Sequence, residues 1–128
     1  MLDTLKQGDG EPVFLCETSA LVESGLAVPF EVLYRGEVLN AFAVRFQGQV
    51  HGYLNRCVHL PMEMDFQANR FFDGSGQWLI CSTHAALYDP ATGVCVSGPC
   101  GGALVKIPMS EEGGKVCWHT SSAIQTVF

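Results

Sequence analysis

Hydrophobic positions along the chain come in short runs, separated by turn-sized gaps that contain glycine. "FEVLYR" (30–35), "VLNAFAVRF" (38–46) and "QVHGYLN" (49–55) are rich in β-branched and aromatic residues, which reads as three consecutive strands. In the second run Val38, Asn40, Phe42, Val44 and Phe46 alternate with Leu39, Ala41, Ala43 and Arg45. Both sets are largely apolar, so this strand is expected to be buried on both faces. "QWLIC" (77–81), "ALY" (86–88), "VCV" (94–96), "ALVKIPM" (103–109) and "VCWH" (116–119) read as further strands. "DGSG" (73–76) and "SEEGGK" (110–115) read as turns between them. Short strands at this spacing imply an all-β, antiparallel sandwich or barrel.

Residues 56–76 and 97–102 break the pattern. "MEMDFQANRFF" has the makings of a short helical turn, and "SGPCGG" is too glycine-rich for anything but a loop. No linker divides the sequence, and 128 residues suit one domain, 1–128, with a core of its own. The net charge of −6, from 13 acids and 7 bases, excludes the basic footprint of a nucleic-acid binder. It reads either as a solvated surface or as an acidic face that steers a basic protein partner. No apolar run is long enough to span a membrane, and "MLDTLKQGDGEP" lacks the regions of a secretory signal, so a cytoplasmic protein is expected.

Two loops between strands each hold a cysteine and a histidine: Cys57-x-His59 and Cys81-x-x-His84, with residues 60–80 between them. Thiolate and imidazole together suit zinc, copper or iron–sulfur centres. A structural zinc site usually draws its cysteines from one element and its histidines from another. Here each loop supplies one of each, and that mixture suits a binuclear centre in which one iron takes both thiolates and the other both imidazoles.

The spacing C-x-H followed at a distance by C-x-x-H resembles the signature of the Rieske family, whose [2Fe–2S] cluster has two histidines in place of two cysteines on one iron. "CSTHAALYDPATG" (81–93) is similar to the second cluster loop with its following strand, and "SGP" (97–99) to the proline-bearing loop that covers the cluster. The resemblance implies a Rieske-like β-sandwich with a two-loop cluster-binding subdomain, approximately residues 56–102. Cys57, His59, Cys81 and His84 would be the cluster ligands. It also implies one-electron transfer from a reductase to a terminal oxidoreductase such as an oxygenase, with no catalytic residue of the chain's own. A small subunit of a larger, nitrite-reductase-like oxidoreductase is the alternative, and a mononuclear zinc domain a further one.

The chain departs from the family pattern in several places. Respiratory members carry an extra cysteine in each loop; Met62 and Thr83 occupy those positions here, so that loop-bridging disulfide cannot form. Ala85 follows the second histidine where glycine is usual, and "QANRFFDGSG" lengthens the gap between the loops. Ala86 stands where high-potential members have a hydrogen-bonding serine, although Tyr88 keeps the tyrosine position. Fewer donors to the cluster imply a potential in the lower part of the Rieske range of about −150 to +300 mV.

The remaining candidates read more plainly. Cys16 and Cys117 lie in apolar strand contexts and are expected to be buried thiols. His51 and His119 read as structural or surface residues. Cys95 and Cys100 flank the proline loop and suit either a disulfide or two thiols, and a cytosolic setting favours the thiols. Leu60, Pro61, Ala85 and Pro99 beside the ligands would exclude water and offer a small apolar docking patch.

Overall fold

A computed structural model describes residues 10–56, 63–65, 68–81, 85–98 and 102–127. Eleven strands are found among them: β1 (Pro12–Glu17), β2 (Val28–Tyr34), β3 (Glu37–Phe46), β4 (Gln49–Leu54), β5 (Leu79–Cys81), β6 (Ala86–Tyr88), β7 (Cys95–Ser97), β8 (Lys106–Ile107), β9 (Met109–Glu112), β10 (Lys115–His119) and β11 (Ile124–Gln125). They form three antiparallel sheets with orders β1-β10-β9, β11-β2-β3-β4-β8 and β5-β6-β7.

The five-stranded sheet lies in the middle, and its pleat explains the doubly apolar pattern of β3. Ala41, Phe42, Ala43 and Val44 are all buried. Odd positions face the first sheet: Ala41 packs in one core with Val32, Leu54, Ile107 and Trp118. Even positions face the small third sheet: Phe42 and Val44 pack with Leu79, Cys81, Ala86 and Tyr88. Adjacent residues of a strand point to opposite faces, so a strand covered on both sides needs apolar residues at both. The expected sandwich is thus present as the first two sheets, and the small sheet forms a further layer on its back.

Two local expectations are overturned. Residues 110–112 are not turn but the last three residues of β9, and only Gly113 and Gly114, both at positive φ, make the hairpin. Here the polar composition of "SEEGG" concealed an exposed strand. No helix forms at 63–65 or 68–72, the part of "MEMDFQANRFF" that is described, and among the described residues of the chain the one helical turn is a 3₁₀ turn at Thr18–Ala20.

The lengthened segment before β5 is tied into this architecture. The Phe71 ring stacks on Phe42, centroids 3.7 Å apart and planes 8° from parallel, and Phe72 packs against Phe46. Phe71 and Phe72 pair as extended chain with β5, where the Ile80 amide donates to the Phe71 carbonyl at 2.8 Å. Ser24 Oγ donates to the Gly76 carbonyl at 2.9 Å, anchoring the tip of the segment. The insertion therefore wedges between the central sheet and the small sheet. Phe71→Ala removes a fully buried ring at that junction and is expected to cost about 3–5 kcal/mol. Urea denaturation checks this; a loss under about 1 kcal/mol would show that the ring is not needed to join the two layers.

Candidate metal centre

Of the four expected ligands, the described residues include Cys81. Cys57, His59 and His84 lie outside them, as do Leu60, Pro61, Met62, Thr83, Pro99 and Cys100. What the structure shows is the frame from which these loops spring.

Cys81 is the last residue of β5, has no solvent exposure, and is not in a disulfide. It pairs with Ala86 across the start of β6, and the Ala85 amide donates to the Cys81 carbonyl at 2.8 Å. Ala85 sits at φ +58°, in the left-handed region. An L-residue with a Cβ is disfavoured there, which gives a physical reason for glycine being usual at this position. Gly98, at φ +99°, lies against the other side of the same strand start, where an added Cβ would come within 2.8 Å of the Ala86 Cα. The start of β6 and the residue after β7 are thereby pressed together at backbone distance, and Ala86 itself is fully buried.

The first loop is closed at its neck by amide and carboxylate side chains. Asn55 Oδ1 accepts the Met64 amide at 2.8 Å, and Asn55 Nδ2 donates to Asp65 Oδ1 at 2.8 Å. Asp65 Oδ2 in turn accepts the Asn69 amide at 2.9 Å, while Asn40 Nδ2 donates to Glu63. Met64, immediately beyond the neck, is fully buried in the same core as Cys81, Ala86 and Tyr88. The stems of both loops therefore share one apolar cluster. Sequence reasoning passed over Asn40, Asn55, Glu63 and Asp65. The signal was available: Asn and Asp flanking a loop are the residues that cap free backbone amides.

A second polar knot fixes the turn after β6. Tyr53 Oη donates to the Pro90 carbonyl at 2.7 Å, and Lys106 Nζ donates to the Ala91 carbonyl at 2.8 Å. The Lys106 ammonium lies 4.7 Å over the Tyr53 ring and 3.1 Å from His51 Nδ1. Burial, and then the Lys106 charge, hold the His51 imidazole below its ordinary value; a neutral ring accepts from the ammonium. The structural role expected for His51 is met by this contact. His119 is likewise structural, with Nε2 2.7 Å from Ser110 Oγ.

The cysteines outside the site need correction. Cys16 and Cys117 are half-buried rather than buried. Cys95 is disulfide-bonded, against the reduced thiol that a cytosolic setting favours, and its partner is not among the described residues.

The sequence matches the Rieske [2Fe-2S] domain over residues 6–108. The chain belongs to the Rieske family. The cofactor of this domain is a [2Fe–2S] cluster, and the frame fits it: a buried, unbridged thiol sits at the stem of a tight loop and faces an apolar core. No curated protein matches the chain. Among solved structures, the Rieske domain resembles the ferredoxin of carbazole 1,9a-dioxygenase from Nocardioides aromaticivorans IC177, with TM-score 0.65 and 20% identity over 84% of this chain and 96% of that one. It also resembles the Sphingomonas yanoikuyae B1 ferredoxin, with TM-score 0.63 and 22% identity over 86% and 99%. The terminal oxygenase of carbazole 1,9a-dioxygenase from Novosphingobium sp. KA1 matches with TM-score 0.63 and 19% identity, over 90% of this chain but 31% of that one. At these identities the likeness establishes the fold.

Two substitutions at the start of β6 should act in opposite directions. Ala85→Gly relieves left-handed strain of about 1–2 kcal/mol and adds about 0.4–1 kcal/mol of unfolded-chain entropy, so stability should be equal or slightly higher. Gly98→Ala meets backbone at a positive φ and should destabilise by more than about 1 kcal/mol. Thermal unfolding of the three proteins measures both; a destabilised Ala85→Gly would contradict the strained turn.

Proposed function

We propose that the chain is a one-electron carrier in which Cys57 and Cys81 hold one iron of the cluster and His59 and His84 the other. The observation that carries the reading is the Rieske match together with the buried, unbridged Cys81 at the stem of the second loop. When bound, the cluster takes up and releases single electrons. The chain's own residues bind and orient it and keep water out. Met64, Ala86 and Tyr88 share the apolar core of Cys81, and Asn55 and Asp65 hold the first loop at its neck.

The electron donor in this proposal is a reductase and the acceptor a terminal oxidoreductase such as an oxygenase. Support comes from the ferredoxins of similar fold, which the chain spans almost entirely, and from a solved complex of oxygenase and ferredoxin in carbazole 1,9a-dioxygenase that contains a similar chain. No helix among the described residues is long and apolar enough to cross a membrane. The chain turns over no substrate of its own in this reading.

Purified protein should contain about two irons and two acid-labile sulfides per chain and accept one electron in a reductive titration. Cys57→Ser and Cys81→Ser should each abolish stable assembly, because thiolate is the stronger anchor. Zinc at one per chain, with no visible absorbance, would refute the assignment.

A further inference from the structure

The small sheet β5-β6-β7 has one face in the core and one face to which no element of the described chain is packed. Leu79, Cys81, Ala86 and Tyr88 point inward and are fully buried. The alternate positions point away from that core. On β5 these are Ile80, which pairs with Leu87 on β6, and Trp78 just before the strand. Cys95 packs against the inner core, so Val94 and Val96 on either side of it face outward. Trp78 is 36% exposed, and Val94 and Val96 are each 48% exposed. Ile80 and Leu87 between them are half-buried. Five apolar side chains thus lie on the outer side of this sheet, which runs to the strand ends at Cys81 and Ala86 from which the second cluster loop springs.

We propose that this outer face is the docking surface for a redox partner protein whose own contact surface is an apolar patch within a basic rim. This rests on the electron-carrier reading above. Three features of the molecule select that occupant. The first is size: these exposures leave an apolar patch on the order of 300 Å², far below the roughly 800 Å² per partner that a stable complex or dimer buries and suited to a transient redox encounter. The second is charge. The chain carries −6 overall, which favours a basic partner. The third is position: the face reaches Cys81 and Ala86, the strand ends between which the second loop lies in the chain, so a protein seated here is close in sequence and space to a proposed ligand. Trp78, large and flat at the border of the patch, is the residue type that anchors such contacts.

Cytochrome c, a basic one-electron acceptor, is the probe. Binding is measured by titration calorimetry at low ionic strength with both proteins oxidised, so that no electron moves. Transfer is measured separately by stopped flow: the reduced protein gives one electron to the ferric haem, which becomes ferrous, with no proton exchanged. Hexacyanoferrate(III) serves as a small oxidant that needs no docking surface. Trp78→Ala and Val96→Thr should each weaken binding at least about fivefold and slow transfer to cytochrome c by a similar factor, with the hexacyanoferrate rate unchanged. Phe14→Ser, at a residue 55% exposed on the outer sheet of the sandwich, should change neither. Unchanged binding in the Trp78 and Val96 variants would overturn the proposal, as would an equal loss in Phe14→Ser or a parallel loss with hexacyanoferrate. Purified protein that carries no [2Fe–2S] spectrum would instead overturn the carrier reading itself.

Discussion

Burial of β3 on both faces is the constraint on which the rest of the molecule depends. A strand in a two-layer sandwich has one apolar face; here Ala41 and Ala43 serve two adjoining clusters on one side while Phe42 and Val44 serve a further core on the other. The small residues on one side let the first sheet approach closely, where Val116 and Leu21 pack on Ala43. The large ones on the other side reach out to Phe71, Tyr53 and the small sheet. The central sheet is therefore a wall with apolar clusters packed on both of its faces, and the small-sheet layer is held by hydrophobic burial rather than by continuous strand pairing.

That arrangement accounts for how the loops are presented. Cys81, the proposed thiolate donor, belongs to the second core, so its position is fixed by the same packing that joins the layers. Side-chain hydrogen bonds do the finer work. Asn55 and Asp65 close one loop at its neck, and Tyr53 with Lys106 hold the turn after β6. The Arg45 guanidinium plays the equivalent part on the opposite side of the wall, where it donates to Glu111 and to the carbonyls of Leu21 and Thr18. It keeps the Glu111 carboxyl below its usual range.

Much of this was legible in the sequence wherever one physical signal dominated. The doubly apolar run 38–46 announced its two-sided burial, and the Cys/His spacing announced the cofactor. The strand Met109–Glu112 was missed because an exposed edge strand needs no apolar residues, so its polar composition imitates a turn. The insertion 67–76 gave no hint of its role, since Phe71 and Phe72 find partners in Phe42 and Phe46, which lie far away along the chain. The disulfide at Cys95 was read the wrong way round because the argument came from compartment, while bonding follows from which side chains the fold brings together. Ala85 was noticed as a departure from family pattern, but only its left-handed backbone shows what the departure costs.

The central claim is that two loops springing from a shared apolar frame deliver two histidines to one iron and two cysteines to the other. Pulsed electron paramagnetic resonance on the reduced protein, grown with ¹⁵N-labelled histidine, tests it most directly. The account predicts hyperfine coupling from two histidine nitrogens, reduced to one when either His59 or His84 is replaced by cysteine in a variant that keeps its cluster. A reduced cluster with no histidine nitrogen coupling would contradict it.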